Sequence, residues 1–304
     1  MLSATALITV LATLPFTSPQ YEVKEEHDVV YAQADGFMKS AREEGKGQFG
    51  EIIPQLWKKK TLDLDMDIYT PEGDNLAQRP LLLMMHGGSF LFGNKEEKGQ
   101  TAWCKHFASL GYVAVSINYR IGFHLKKKEI TQAELWAMDD ANAAISYLLS
   151  REDLKINPEW IFAAGTSAGG ITALNIAFRK PEHKIKAIAC LWGSMENPED
   201  LKNSRTAILS YQSEHDPVMP YGAGYPFQKK EGAAWPPSWL YSHKMYGTGA
   251  IYGKAQEAGL RVEHHPVPGN LHRLHIGNDG EFTPIFYEIQ DRMAEFFAEE
   301  IGKL

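Results

Sequence analysis

The amino-acid sequence predicts an α/β fold in which helices cover both faces of a mostly parallel central sheet. Three observations lead to this prediction. From residue 60 onward, strand signals alternate with helix signals, as a parallel sheet requires because each crossover between parallel strands usually contains a helix. Most of the predicted strands are continuous apolar runs, which is typical of strands buried on both faces. The composition, 44% hydrophobic and 23% charged over 304 residues, is that of an ordinary globular protein.

The predicted elements follow one another in a regular order. Residues 62–68 alternate apolar and polar side chains, which predicts a strand with one face in water. Buried strands are predicted at residues 81–85, 112–119, 160–164, 185–191, 207–211 and 261–267. Helical periodicity covers residues 132–149, 171–178, 251–258 and 285–301. No repeat or low-complexity linker interrupts this order, so residues 21–304 are predicted to form one domain.

The amino terminus and the net charge bear on location and partners. Residues 1–20 carry no charge, and residues 4–14 form a largely apolar stretch that is too short to span a bilayer but suits a secretory signal. We therefore expect a signal peptide at residues 1–20 and a secreted or periplasmic protein; a buried amino-terminal helix in a cytoplasmic protein is the alternative. The net charge of −7 argues against a nucleic-acid partner or an anionic membrane surface.

One long segment, residues 217–246, lacks clear periodicity and combines many aromatic residues with Gly and Pro. Loops of this length inside a compact domain are usually lids or binding loops, so we predict a lid-like insertion. The alternative is an irregular excursion whose aromatic side chains pack on the body of the domain. The aromatic residues concerned are Tyr221, Tyr225, Phe227, Trp235, Trp239, Tyr241 and Tyr246.

Residues 165–169 read Gly-Thr-Ser-Ala-Gly and fit the pattern G-x-S-x-G directly between a predicted strand and a predicted helix. This is the setting of a nucleophile elbow, whose tight turn leaves no room for side chains two residues to either side of the serine. The serine then projects at the amino terminus of a helix, where backbone N–H groups favour developing negative charge. The pattern predicts Ser167 as a nucleophile; an inert serine in a glycine-rich turn is the alternative.

A second glycine-rich turn, His-Gly-Gly-Ser at residues 86–89, follows the predicted strand 81–85. Glycines let the backbone approach a substrate and direct N–H groups at one point, where they stabilise the oxyanion of an acyl-transfer intermediate. The amide of Ala168, directly after the nucleophile, would supply a further donor. A plain turn at the end of a strand is the alternative for the segment 86–89.

An acid and a base are expected after Ser167, in that order along the chain. Asp216 follows the predicted strand 207–211, and its neighbour Glu214 is the alternative acid. His272 follows the last predicted strand, and His275 is the alternative base. The carboxylate would hold the imidazole in the productive tautomer, and the imidazole would take the proton of the serine.

Four histidines fall close together near the carboxyl terminus, a density that raises the question of a metal site. No carboxylate or cysteine stands at a matching spacing, and strand parity sends the first two to opposite faces, so we predict neither a metal nor a cofactor. These histidines are His264, His265, His272 and His275.

Two further pairs have structural interpretations. Cys104 and Cys190 lie in predicted helical and strand segments and are expected to be small buried side chains without a disulfide. Arg120 ends a predicted buried strand and Asp140 lies on the next predicted helix, so an ion pair is expected there; two solvated charges are the alternative.

As an ordered set, the motifs resemble the carboxylesterase and lipase branch of the α/β-hydrolase superfamily. More narrowly, they resemble bacterial esterases of the hormone-sensitive-lipase and bifunctional feruloyl/acetyl-xylan esterase groups. The resemblance implies Ser167 as nucleophile, Asp216 as acid and His272 as base. The motifs are His-Gly-Gly-Ser-Phe at 86–90, Asn-Tyr-Arg at 118–120, Gly-Thr-Ser-Ala-Gly-Gly at 165–170, Asp-Pro-Val-Met-Pro-Tyr at 216–221 and Gly-Asn-Leu-His at 269–272.

The resemblance also implies an oxyanion hole formed by Gly88, Ser89 and Ala168. Ser89 stands where many relatives have a third glycine, so we expect a narrower acyl pocket with the N–H donor retained. The expected activity is that of a serine carboxylesterase without a cofactor, acting on short-chain or aryl esters, or on acetyl or feruloyl esters of polysaccharides after export. An amide-bond hydrolase (a peptidase or an arylformamidase) is the alternative, and a non-catalytic binding protein is the third hypothesis. The sequence makes no prediction of the oligomeric state.

Overall fold

The computed structural model describes residues 14–40, 59–122, 127–227 and 244–303. It contains a large sheet of eight strands in the order β1-β2-β4-β3-β5-β6-β8-β11 and a small sheet in the order β7-β10-β9. Strands β1 and β2 are antiparallel to their neighbours, and the remaining pairs of the large sheet are parallel. The strands are β1 (Glu22–Gly36), β2 (Lys60–Glu72), β3 (Arg79–Met85), β4 (Val113–Ile117), β5 (Ile156–Thr166), β6 (Ile185–Leu191), β7 (Ser194–Met195), β8 (Ala207–Ser213), β9 (Ala223–Gly224), β10 (Met245–Gly247) and β11 (Val262–Val267).

Helices cover both faces of the large sheet, as the sequence predicts. Alternate side chains of β3 enter two separate apolar cores: Leu81 and Leu83 face one core, and Leu82 and Met84 face the other. Helices α2, α3 and α4 pack on the first core, and α1 and α5 pack on the second. The helices are α1 (Lys98–Ser109), α2 (Lys127–Ser150), α3 (Ala168–Leu174), α4 (Thr248–Glu257) and α5 (Pro284–Ile301).

The sequence-based prediction of a wet face on β2 is correct for Thr61 and Asp63 and wrong for Asp65 and Asp67. Its polar positions were expected to face water, but Asp65 and Asp67 are only 3% and 2% exposed. The reason is that this part of β2 lies inside the sheet, between β1 and β4, and that charged side chains from other segments lie against its polar face. The buried carboxylates face ammonium groups: Asp65 pairs with Lys39 at 2.9 Å, and Asp67 pairs with Lys95 at 2.7 Å. The sequence analysis also missed the 15-residue strand β1, which forms one edge of the sheet.

The end of the predicted signal segment lies against the body of the domain. The ring of Phe16 meets the edges of Tyr112 and Trp160 at centroid distances of 5.7 and 6.3 Å, and the backbone N–H of Gln20 donates to the carbonyl of Ser109 at 2.8 Å. Residues 1–13 lie outside the described part of the chain, so the signal peptide stays a prediction. Among the described residues, no helix has both the length and the apolar character needed to cross a membrane.

The predicted ion pair between Arg120 and Asp140 is confirmed. Arg120 donates to the carboxylate from its backbone N–H at 2.7 Å, from Nε at 2.9 Å and from Nη2 at 2.6 Å. The two side chains are 11% and 3% exposed, so the pair joins the segment after β4 to α2 in a nearly dry environment. Both Cys104 and Cys190 are buried free thiols, as expected.

Replacing Asp140 with Asn is expected to lower the free energy of unfolding by about 3 to 5 kcal/mol, because the guanidinium of Arg120 then stays buried without a counter-charge. Urea unfolding of the two proteins measures the difference. The matched control is Glu257→Gln, which breaks the exposed ion pair with Lys254 and should leave the free energy of unfolding close to that of the wild type. A similar small loss for both variants would show that the buried pair does not contribute to stability.

Candidate active site

The parallel strands bring five loops to one edge of the sheet. Strands β3, β5, β6, β8 and β11 run in the same direction, so the segments that follow them meet beyond their carboxyl ends. This is the edge at which open α/β sheets bind ligands. The segments carry His86, Ser167, Trp192, Asp216 and His272 respectively.

Ser167 occupies the tight turn between β5 and α3. Its backbone is in the left-handed region, with φ 51° and ψ −112°, and its N–H donates to the carbonyl of Leu191 at 2.9 Å. A Cβ at Gly165 would lie 2.3 Å from the carbonyl carbon of Gly169, and a Cβ at Gly169 would lie 2.0 Å from the carbonyl oxygen of Met85. Both glycines are therefore required by space, as the turn geometry predicts, and the strained turn holds the serine side chain at the sheet edge.

A chain of hydrogen bonds joins the three side chains that the sequence singles out. Ser167 Oγ lies 2.9 Å from Nε2 of His272. On the other side of the imidazole, Nδ1 lies 2.8 and 3.0 Å from the two carboxylate oxygens of Asp216. With the proton on Nδ1, the imidazole donates to the carboxylate and Nε2 accepts from the serine hydroxyl. This arrangement suits removal of the serine proton.

The carboxylate of Asp216 is held in place by its own loop. Its Oδ1 accepts the backbone N–H groups of Val218 at 2.8 Å and Met219 at 3.1 Å, and its Oδ2 accepts from Nε2 of Gln212 at 3.3 Å. The side chain of Asp216 is 0% exposed, whereas the alternative acid, Glu214, is exposed. The structure thus brings Asp216, and not Glu214, against the imidazole of His272.

The glycine-rich turn after β3 approaches Ser167 closely. A Cβ at Gly87 would lie 3.5 Å from Cβ of Ser167. Gly88 and Ser89 line the same cleft as Ser167, and both have positive φ angles, 113° and 57°. Ala168 and Ser89 both line a second, smaller pocket whose walls are mostly apolar. Gly88 and Ser89 thus line the cleft at Ser167, and Ala168 directly follows the serine; their role as oxyanion donors stays a prediction.

The cleft in front of Ser167 has a volume of about 600 Å³. Sequence reasoning missed six of its lining residues because they belong to no motif: Gly93, Asn94, Glu96, Glu97, Trp192 and Arg273. Trp192 directly follows β6, and its backbone has a φ of 46°, which is unusual for a bulky residue. The complete lining is Gly87, Gly88, Ser89, Gly93, Asn94, Glu96, Glu97, Thr166, Ser167, Trp192, Val218, Phe227, His272, Arg273 and His275.

His275, the alternative base, lies deeper in the wall of the cleft. Its ring stacks between the indoles of Trp103 and Trp192, at centroid distances of 5.4 and 5.2 Å, and only 2% of the residue is exposed. Its Nε2 lies 3.3 Å from a carboxylate oxygen of Glu97. Although burial opposes the shift, the contact with His275 holds the pKa of Glu97 below its usual value. The structure therefore places His272, rather than His275, against Ser167 Oγ.

The two histidines of β11 point to different surroundings, as strand parity predicts. His264 hydrogen-bonds Ser210 Oγ at 2.9 Å and the hydroxyl of Tyr221 at 2.8 Å. His265 stacks on the ring of Tyr211 at 4.3 Å. Within the ranges that the structure describes, His, Cys, Asp and Glu side chains form no group of three or more that could hold a metal ion. Much of the predicted lid-like insertion, residues 228–243, lies outside those ranges, and the lid stays a prediction.

His86, at the start of the glycine-rich turn, predicts a pH dependence of stability. Burial lowers the pKa of His86 from 6.5 to about 4. Below pH 6.5 the unfolded chain therefore binds a proton that the folded chain resists until about pH 4, so stability decreases as the pH falls through this window. The expected loss is about 3 kcal/mol of unfolding free energy over the whole window.

Urea unfolding at pH 7, 6 and 5 tests this dependence, because most carboxylates stay ionised in that range. His86→Gln should reduce the decline without abolishing it, because burial also lowers the pKa of His264 to about 4. Replacement of the exposed His215 with Gln should leave the decline as in the wild type. The same slope in the wild type and in His86→Gln would contradict the assignment.

The mostly parallel sheet, the strand–turn–helix elbow and the loops that meet at its edge define an α/β hydrolase. Solved structures agree. The chain aligns with Thermogutta terrifontis esterase 2 phosphorylated by paraoxon with a TM-score of 0.58 and 20% identity, over 80% of this chain and 91% of that one. It aligns with MGS-M1, an α/β hydrolase from a Medee basin deep-sea metagenome library, with a TM-score of 0.57 and 18% identity, over 78% of this chain and 94% of that one.

The family model BD-FAE matches residues 66–222, just over half of the chain. The chain belongs to the BD-FAE family, which confirms the resemblance drawn from the motifs. The match contains the glycine-rich turn, the elbow and Asp216, and it ends before His272.

Curated relatives are much larger proteins. The chain is 28% identical over 180 residues to methylphloroacetophenone synthase of Cladonia uncialis, which is 55% of this chain and 6% of that protein. It is 31% identical over 143 residues to the non-reducing polyketide synthase mapC of Penicillium brevicompactum, which is 43% of this chain and 6% of that protein. The chain thus spans only a small part of the length of these relatives.

Proposed function

We propose that the protein is a serine carboxylesterase that cleaves esters through an acyl-enzyme on Ser167. The observation that carries the proposal is the continuous hydrogen-bonded chain from Ser167 Oγ through His272 to Asp216. Membership of the BD-FAE family supports an ester as the substrate. Ser167 and His272 line a cleft that is large enough for a small organic ester.

In the proposed mechanism, Ser167 Oγ attacks the ester carbonyl carbon while its proton moves to Nε2 of His272. Asp216 accepts the hydrogen bond of Nδ1–H and stabilises the imidazolium that forms. The carbonyl oxygen becomes an oxyanion and accepts hydrogen bonds from the backbone N–H groups of the oxyanion hole, Gly88, Ser89 and Ala168. The C–O bond to the alcohol then breaks, and the alcohol leaves with the proton from Nε2. A water molecule then attacks the acyl-enzyme by the same steps, with His272 as the base, and the carboxylic acid leaves as Ser167 regains its proton.

We propose short-chain or aryl esters as substrates, including acetyl or feruloyl groups on polysaccharides if the chain is exported. The indole of Trp192 in the cleft wall supports a flat or sugar-like group, since aromatic faces stack on such rings. A structural neighbour, the Thermogutta terrifontis esterase Est2, is described with propionate bound. That description is compatible with a short acyl chain. No cofactor enters the proposed reaction.

Hydrolysis of p-nitrophenyl esters from acetate to decanoate tests the proposal, with p-nitroanilides of the same acids as the matched amide series. We expect turnover of the esters that is highest for short chains, and far slower turnover of the anilides. A folded protein that hydrolyses no ester of the series would contradict the proposal. Turnover of anilides or formyl-anilides alone would instead favour the amide-bond hydrolase.

A further inference from the structure

The turn that carries the proposed oxyanion donors belongs to a strained loop, residues 86–95, which we call the oxyanion loop. Four of its residues have positive φ angles: Gly88 at 113°, Ser89 at 57°, Phe90 at 59° and Gly93 at 96°. Such a backbone costs free energy wherever the residue has a side chain, and it persists only when surrounding contacts over-determine it. The contacts between the loop and the rest of the domain therefore help to fix where its N–H groups lie.

The far end of the loop is held by the side chain of Lys95. This residue is 2% exposed, and its ammonium lies 2.7 Å from carboxylate oxygens of both Asp67 and Asp28 and 3.8 Å from Asp65. Burial of the ammonium is offset by these carboxylates, so the pKa of Lys95 stays above its usual value. The loop is thus tied by a charged group to β1 and β2, two strands on the far side of the sheet from the elbow.

The end of β4 and the segment that follows it hold the loop at both ends. Asn118 Oδ1 accepts the backbone N–H of Lys95 at 2.8 Å, and the hydroxyl of Ser116 donates to the Lys95 carbonyl. Tyr119 donates its hydroxyl to the carbonyl of His86 at 2.7 Å and stacks on the His86 ring at 4.2 Å. These contacts give a role to the Asn-Tyr-Arg motif, which does not itself reach the cleft.

We propose that Lys95 is a positioning residue, whose buried ammonium holds the oxyanion loop so that the N–H groups of Gly88 and Ser89 meet the oxyanion. The proposal rests on the proposed esterase function. Because the oxyanion exists only in the transition state and the tetrahedral intermediate, loosening the loop lowers kcat and leaves KM nearly unchanged. A residue that only stabilises the fold would not produce this separation of kcat from KM.

The test compares Lys95→Met, Lys95→Arg and the wild type on p-nitrophenyl acetate, together with inhibition by a trifluoromethyl ketone, which forms an oxyanion adduct with the serine. We expect kcat of Lys95→Met to fall about 10- to 100-fold with KM within about twofold. The affinity for the ketone should fall by a similar factor. Lys95→Arg keeps the positive charge and should recover much of the loss.

The matched control is Lys105→Met, which removes a half-exposed lysine paired with Glu25 at 2.8 Å and should keep wild-type kinetics. If Lys95→Met does not fold, Asp67→Asn removes one partner of the ammonium and should lower kcat and ketone affinity in the same direction. Unchanged kcat in folded Lys95→Met, or a loss of kcat in that variant without a loss of ketone affinity, would overturn the proposal. A wild type without ester turnover would instead contradict the proposed function.

Discussion

Replacing Ser167 with Ala is expected to lower kcat on p-nitrophenyl acetate by a factor on the order of 10⁴ to 10⁶. The reason is chemical: without Oγ no acyl-enzyme forms, and His272 has no hydroxyl to deprotonate. The free energy of unfolding should change by no more than about 1 kcal/mol, because the variant loses one hydrogen bond at 2.9 Å and no packed volume. Steady-state kinetics and urea unfolding measure the two quantities on the same preparations.

Covalent labelling makes the Ser167 prediction independent of substrate choice. An organophosphate such as paraoxon should add one phosphoryl group to the wild type, detectable by mass spectrometry, and none to Ser167→Ala. The control Ser150→Ala removes an exposed hydroxyl that donates to the Tyr147 carbonyl, and it should keep both turnover and labelling. Undiminished turnover in folded Ser167→Ala would show that another group is the nucleophile.

The second large effect is expected for Asp216→Asn, with kcat about 10² to 10⁴ lower than in the wild type. The amide keeps an oxygen that can accept the N–H groups of Val218 and Met219, so the loop can persist. Its NH₂ group, however, can donate to Nδ1 of His272, which favours the tautomer with the proton on Nε2. That tautomer cannot accept the proton of Ser167. Residual activity should exceed that of Ser167→Ala because the nucleophile and the oxyanion hole remain.

Glu214→Gln is the matched control for Asp216, since it makes the same chemical change two residues earlier in the same loop. The exposed side chain of Glu214 should tolerate the change with kinetics near the wild type. If Glu214→Gln loses activity and Asp216→Asn does not, the assignment of the acid is wrong and Glu214 takes that role.

Most of the large sheet was predictable because its strands carry strong local signals. The continuous apolar run in β3 predicts a buried strand, and the structure has one at Arg79–Met85. The edge strand β1 was missed for the opposite reason. Most of its residues are exposed or half-buried, so few apolar positions mark a strand period, and pairing with β2 rather than burial holds it in the sheet.

In the candidate site, likewise, some residues can be predicted from local sequence patterns and others only from long-range packing. The elbow at Ser167 is a short-range pattern, because the glycines that it needs lie two residues to either side. The choice between His272 and His275 is not local. Both residues follow β11 in one loop, and only packing shows that His275 stacks between Trp103 and Trp192 while His272 reaches Ser167.

Local patterns suffice to predict the parallel α/β architecture and the nucleophile elbow, and the succession of predicted strands indicates where the candidate acid and base follow. How Asp65 and Asp67 are used depends on the folded structure. Their alternation with apolar residues predicts a wet face, yet both are buried in the folded chain, where Lys39 and Lys95 are their partners. Burial depends on which strand lies beside which, and that order joins segments far apart in the chain. The tie between these carboxylates and the oxyanion loop is therefore visible only in the folded protein.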